Sequence, residues 1–542
     1  MLARIRSAAL HGLDPVPVDV EVSITNGLPA FHVVGLPDAA VRESRERVVS
    51  ALRQSGFEFP LRRITANLAP AHLKKEGSAF DLPLALAVLA ASGQVPAERA
   101  AGWLAVGELA LDGTLRPVRG ALVLAECAAL VGAHTLVVPR ASAAEAALAG
   151  TARVWPASSL TEVVGWLRGA GEPEPIDATA APGVQEDSGG AAPADRTGGA
   201  GGPATRLEDV AGQLRAKRAL ETAAAGGHNL LFVGPPGAGK TLLARALPGL
   251  LPPLTAAESL EVTRVHSVAG LLPSRVALVA RRPFRSPHAS ISCAGLLGGG
   301  SVPRPGEVSL AHRGVLFLDE LPEFRRDALE ALRAPLEEGT ITVVRAAGAF
   351  RFPAAFQLVA ALNPCPCGNL GHPRKGCRCG PDEIRRYRAR VSGPLLDRID
   401  LQLEVPPVRA AELAPGPARD AGPTTVAAAT RVARARARQS ERNLGCGDAR
   451  GPAGGAPSGI GVPAVENARL SPGALERLAP LHPATRALLT HAVERLGLSA
   501  RAYHRIWRVA RTIADLDGAE EIATEHLSEA VTFRALDRDP AP

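Results

Sequence analysis

Eight residues, Gly234-Pro-Pro-Gly-Ala-Gly-Lys-Thr241, restrict this chain more than any other stretch. They follow the apolar run Asn229-Leu-Leu-Phe-Val233, which reads as a buried strand. They precede Leu242-Leu-Ala-Arg-Ala-Leu247, which reads as a helix. Strand, glycine loop and helix in that order are the setting of a phosphate-binding loop. Gly234, Gly237 and Gly239 let backbone N–H groups turn inward around phosphate oxygens, with Pro235, Pro236 and Ala238 completing the loop. The following helix adds the positive end of its dipole. Lys240 is spaced to reach the β- and γ-phosphates, and the Thr241 hydroxyl to ligate Mg²⁺. A bare glycine turn before a helix needs none of the eight-position pattern, so the stretch reads as a nucleoside triphosphate site.

A second stretch supplies the acids. In Val315-Leu-Phe-Leu-Asp-Glu320, four apolar residues before two carboxylates read as a central parallel strand whose C-terminal end lies beside the phosphates. Asp319 would hold Mg²⁺ and Glu320 would polarise the attacking water. Alone the pattern is weak, but on the order of 80 residues after a phosphate loop it is strong. Phe356-Gln-Leu-Val-Ala-Ala-Leu-Asn363 is another buried strand, ending in an Asn placed to orient that water.

A chain of 542 residues calls for about three domains. No charged-then-apolar leader opens it, and its apolar runs break before the roughly 18 residues of a membrane span, so a cytoplasmic protein with no membrane partner is expected. The net charge of +7 hints at nucleic acid. The hint is weak, because only five of the 61 basic residues are Lys and Arg accumulates everywhere beside Ala, Gly and Pro.

Residues 1–166 mix strand-like runs (18–22, 64–68, 135–138) with helices. Asp38 is a plausible N-cap for a helix through Leu52, and Asp81 to Ala91 shows an apolar helical face. Residues 167–205 hold hardly any large apolar side chain and read as a flexible linker. Residues 206–408 carry the nucleotide motifs. Between them, 282–312 reads as a long non-core loop, and 339–345 with 349–352 as a hairpin. Arg345 and Arg351 on that hairpin are candidate phosphate contacts or simply solvated.

Directly after Asn363 come Cys365-Pro-Cys367 and Cys377-Arg-Cys379, four thiols suited to a tetrahedral structural zinc site, with His372 as an alternative ligand. Free thiols in a loop are the other reading, a disulfide being disfavoured in a reducing cytosol. Arg385 to Arg390 is densely basic, open between a solvated helix face and DNA contact. Residues 409–465 are Ala/Gly/Pro-rich, with one helical patch whose Arg431, Arg434, Arg438 and Arg442 share a face. That face could track a phosphate backbone or be solvated. From 466 to 542 the chain reads as a helical bundle, with Ser471-Pro472 as its first cap and N1 pair.

Several motifs carry resemblances. Lys75-Glu-Gly-Ser-Ala-Phe-Asp-Leu82 and Gly107 to Gly120 resemble the proteolytic domain of Lon proteases. That family uses a Ser–Lys pair, but here Ala79 and Leu122 stand at the aligned positions and Ser78 lies one residue off, so a scaffold without peptidase chemistry is implied. Leu207 to Gln213, the phosphate loop, Asp319-Glu320 and Asn363 resemble AAA+ ATPases. In that likeness Asn363 corresponds to sensor 1, and Arg398, in Gly393-Pro-Leu-Leu-Asp-Arg-Ile-Asp-Leu401, to the arginine finger a neighbouring subunit supplies. Arg501 corresponds to sensor 2, while Arg505, Arg508 and Arg511 read as surface or ion-pair residues.

With Pro-Cys-Pro-Cys-Gly after Asn363 and the helical lid, the chain resembles the magnesium-chelatase-like AAA+ ATPases that include the ComM-type competence proteins. The resemblance implies a multidomain α/β fold: a Lon-like (ribosomal S5 domain 2-like) α/β domain, a P-loop αβα core and a C-terminal helical lid. It also implies ATP and Mg²⁺ as cofactors, a homo-oligomeric ring (a hexamer in ComM-type proteins), DNA as partner and branch migration as activity. The long linker and the enlarged 409–465 region depart from the family. A motor that remodels a protein partner is the alternative, and an ATP-dependent protease is disfavoured.

Overall fold

The computed structural model describes residues 2–176, 205–272, 278–300, 303–345, 348–408, 422–443 and 465–534. Most of the expected linker, much of 409–465 and the tip of the 339–352 hairpin lie outside the described residues.

The N-terminal part is a seven-stranded mixed sheet with helices. Its order runs Ala30–Val34, Arg63–Ala69, Asp14–Thr25, Leu2–His11, Trp103–Ala105, Thr135–Pro139, Arg153–Ala157. The Asp14–Thr25 strand alternates buried and half-exposed side chains, as one-sided packing requires. Asp38 caps helix Ala39–Gln54, its carboxylate accepting the Val41 N–H at 2.7 Å. Helix Asp81–Ala91 differs from the expected amphipathic form, since ten of its eleven residues are buried. It is wrapped on all sides, so its polar start is satisfied internally: Asp81 accepts from Ser44 and Arg47. The helix containing residue 166 runs on to Arg168, beyond the expected domain limit, and ends at Gly169 in the left-handed region.

The second part is a parallel five-stranded sheet, ordered Phe284–Arg285, Val315–Leu318, Gln357–Leu362, Leu230–Val233, Leu401–Glu404. The three inner strands are buried throughout, which is why their sequences are continuous apolar runs. The 282–312 segment corrects the expectation of a non-core loop. It supplies the sheet's edge strand Phe284–Arg285 and the short helices Cys293–Leu297 and Glu307–Leu310, burying Leu296, Val308 and Leu310. Elements of two to five residues between Gly and Pro carry no readable periodicity. The hairpin forms as expected from Thr340–Arg345 and Gly348–Pro353.

The C-terminal helices Pro472–Leu478, Pro483–Arg495, Ala500–Asp517 and Thr524–Thr532 form a bundle joined to helices Leu214–Gly226 and Thr425–Asn443 in one apolar cluster. The arginines of Thr425–Asn443 do much of that joining. Arg431 pairs with Glu221, Arg438 donates to the Asp515 carbonyl, and Arg442 pairs with Asp515. The face is thus partly engaged by carboxylates and carbonyls of the fold, while Arg434 and Arg438 remain exposed to solvent. Of the two readings for Arg505, Arg508 and Arg511, the ion-pair one holds for Arg505, paired with Asp400, and for Arg511, buried against Asp515, while Arg508 is mostly buried.

The two α/β parts touch. Helix Ala121–Val131 lies on helix Ala256–Ala269, with Arg264 paired to Glu126 at 2.9 Å. Glu145 accepts from Ser267 and from the Leu122 N–H, while the His11 ring rests on Phe350 at 4.3 Å.

Candidate active site and cysteine cluster

Three adjacent strands end at one place. Leu230–Val233 runs into Gly234, Val315–Leu318 into Asp319, and Gln357–Leu362 into Asn363. Ligands of open parallel sheets bind outside the carboxyl ends of the strands. The phosphate loop then turns into helix Lys240–Ala246.

Gly237 and Gly239 have φ of 79° and 90°, and a Cβ on either would project into open space. The concave side of the loop is therefore clear to meet phosphate oxygens, and only glycine keeps it so. Gly234 is confined for another reason: a Cβ there would meet the Val405 carbonyl oxygen at 2.2 Å. The buried Lys240 ammonium donates to the Gly234 and Pro235 carbonyls at 2.5 and 3.0 Å and to Asn363 Oδ1 at 3.0 Å. Burial pushes its pKa down, against the pull of Asp319 and Glu320. The Thr241 hydroxyl donates to Asp319 Oδ2 at 2.9 Å, so a hydroxyl and a carboxylate oxygen stand together as hard ligands suited to Mg²⁺. Glu320 is exposed, with φ of 52°, next to this pair. The residues fit a nucleotide with its Mg²⁺: a clear cradle, a cation at its rim and a paired oxygen donor set.

The two remaining arginines have settings of their own. Arg398 is 7% exposed, donates to the Pro394 carbonyl at 2.7 Å and is ion-paired with Glu337 of the same chain. Arg501 is exposed at the start of helix Ala500–Asp517. Sequence reading missed Asp400, which fastens the lid to the core. It is buried, accepts from Arg505 at 2.7 Å and from the Asn229 N–H at 3.1 Å, and sits 3.6 Å from His228. Its signal was adjacency to Arg398. It also missed Gln213, whose amide reaches the Pro406 carbonyl at 2.6 Å beside the phosphate loop.

Cys365, Cys367, Cys377 and Cys379 bring their four sulfurs within 4.8 Å of one another as free cysteines. Sγ separations of 3.4, 3.6 and 3.7 Å among the first three are near the roughly 3.8 Å edge of a tetrahedron built on Zn–S bonds of about 2.3 Å. N–H groups of Arg378 and Asn369 pull the Cys367 thiol down to about 6, whereas Cys377 and Cys379 are pushed up, against their own backbone hydrogen bonds, by burial and the neighbouring sulfurs. His372 is not among the ligands: its Nδ1 accepts the Arg374 and Lys375 N–H groups at 3.0 and 3.1 Å. In the basic run, Arg385 pairs with Asp382 and Arg390 with Glu323, and Arg388 donates to the Pro364 carbonyl.

Comparison with known proteins agrees along the chain. Residues 206–413 match the family described as magnesium chelatase, subunit ChlI. Residues 20–142 match subunit ChlI of Mg-chelatase, and 422–534 the ChlI C-terminal family. The competence protein ComM of Haemophilus influenzae is 43% identical over 539 residues, 99% of this chain and 98% of the relative. The uncharacterized protein YifB of Salmonella typhimurium is 42% identical over 539 residues, with the same coverage. YifB of Escherichia coli is 41% identical over 544 residues, again 99% and 98%. The chain belongs to the magnesium-chelatase-like ComM/YifB family.

Proposed function

We propose that this chain is a ring-forming AAA+ ATPase that turns ATP hydrolysis into movement along DNA, a cytoplasmic helicase or translocase for branch migration in recombination during natural transformation. The observation that carries the ATPase is the convergence of the phosphate loop, Asp319-Glu320 and Asn363 at three neighbouring strand ends, with Thr241 already in contact with Asp319. Lys240 would bind the β- and γ-phosphates, Thr241 and Asp319 would hold Mg²⁺, and Glu320 with Asn363 would orient water for attack on the γ-phosphorus. Arg398 of one subunit would serve its neighbour's site once released from Glu337, and Arg501 would report the γ-phosphate from the lid.

Support for DNA comes from the hairpin, whose Arg345 and 67% exposed Val344 face solvent near its tip with Arg351 exposed midway along it, and from a relative named as a competence protein. Backbone contact of this kind is sequence-independent and salt-sensitive. Zinc in the four-cysteine site would be structural, since four protein thiolates leave no open position. The N-terminal part would be a Lon-like scaffold without peptidase chemistry: the Ser78 hydroxyl is engaged by Glu108, and Leu122 offers no base.

A second reading, a motor that remodels a protein partner, is favoured by the chelatase description of the matching families. ATP hydrolysis measured with and without a four-way junction, with Glu320→Gln as control, separates the two. Stimulation by the junction is expected. Equal rates would remove the DNA reading in favour of the remodeller.

A further inference from the structure

The cysteine cluster does not hang off the fold; it lies on the phosphate loop. Gly368, between the two cysteine pairs, has φ of 76°, and a Cβ there would stand 2.6 Å from Pro236 Cδ. The turn that holds the sulfurs together is thus in contact with the second proline of Gly234–Thr241. Cys365 follows Asn363 by two residues, and Asn363 Oδ1 holds Lys240. On the other side, helix Pro381–Arg388 begins directly after Cys379-Gly380 and folds back. Its Tyr387 is buried with its hydroxyl close to the Asn363 backbone, and its Arg388 donates to the Pro364 carbonyl at 3.3 Å. Both ends of the 365–379 loop are therefore tied to Asn363 and Pro364, and its middle presses on Pro236.

We propose that the four-cysteine site is a metal clamp on the nucleotide site: a thiolate-bound zinc ion fixes the Gly368 turn against Pro236 and holds Asn363 in register with Lys240, so that losing the metal weakens nucleotide binding. This rests on the zinc and nucleotide readings above. Without the ion the two cysteine pairs are no longer bridged to each other, and the turn is free to lift. With it, the phosphate loop has a rigid wall on one side.

The test uses the purified full chain. Metal content is measured by atomic emission, and the affinity for a fluorescent ATP analogue is measured before and after stripping with a zinc-selective chelator, Mg²⁺ being held constant. One zinc per chain is expected, with affinity falling about tenfold or more on stripping and returning when zinc is added back. Gly368→Ala is the companion, for it leaves every sulfur in place while pushing on Pro236; it should keep its zinc and lose affinity. No zinc in the chain overturns the zinc reading, and with it the clamp. Zinc present but no nucleotide bound overturns the ATPase reading. Both bound, with an affinity that neither stripping nor Gly368→Ala changes, overturns the clamp alone.

Discussion

Asp515→Asn is the substitution whose effect the structure fixes most closely. Asp515 is fully buried and accepts from Arg442 at 2.6 and 2.9 Å, from Arg511 at 3.1 Å and from Asn467 at 2.8 Å. The Arg511 side chain is 2% exposed and that of Arg442 19%. Asn keeps the shape but removes the carboxylate that, among the described residues, these two guanidinium groups share. Leaving a buried charge without its partner costs about 3–5 kcal/mol. For a unit of roughly 150–250 residues, each kcal/mol moves the unfolding midpoint by about 2–4 °C, so a drop of roughly 6–20 °C is expected for the lid and the core it joins. Differential scanning calorimetry reads it, with Arg434→Ala, exposed on the same helix, as the variant that should not shift. ATP turnover should fall as well, since Asp515 and Arg501 lie on the same lid helix. A midpoint for Asp515→Asn within about 2 °C of the parent would refute the reasoning that these arginines are structural.

Three further outcomes follow from the same geometry. Thr241→Ala removes the hydroxyl beside Asp319 and should lower Mg²⁺-dependent turnover roughly 100-fold or more while nucleotide still binds; equal turnover at saturating Mg²⁺ would contradict that placement. Arg398→Ala should cut turnover roughly 1000-fold, whereas Glu337→Gln, which frees Arg398 from its own subunit, should not; parallel losses in steady-state assays would make the pair structural. Acid should destabilise the chain in two stages. Burial keeps His312 neutral with its pKa below the ordinary 6.5. Burial works against the Glu261 carboxylate too, but hydrogen bonds from His312 and Arg313 hold it at about 2 instead of 4.5. Both native values are depressed, so this stability is present in full above pH 6.5, begins to go below it with His312, and goes faster below 4.5 with Glu261. A midpoint that rises on acidification from pH 7 would contradict the sign.

The parts of the fold that were legible in the sequence are those where one local pattern suffices. The phosphate loop, the two strands ending in Asp319 and Asn363, and the Asp38 and Ser471 caps each depend on a few adjacent residues. The rest depends on partners far along the chain. Nothing near Arg442 announces Asp515, and nothing in Arg-Pro-Phe-Arg-Ser at 282–286 announces a two-residue edge strand. The arginine run of Thr425–Asn443 misled for the same reason: a stripe of charge looks identical whether water or buried carboxylates face it. At the site, the grouping of the residues was legible and their contacts were not. The thiol spacing gave a ligand set, while the position of Gly368 on Pro236 needed the folded loop.

We propose above that hydrolysis assisted by Glu320 drives branch migration on DNA. Migration of a labelled four-way junction, followed by gel with ATP and purified chain, tests it most directly. The wild type should resolve the junction into duplex products with ATP, and Glu320→Gln should bind the junction and leave it intact. A wild type that hydrolyses ATP yet never moves the junction, or a Glu320→Gln variant that moves it equally fast, would contradict the account.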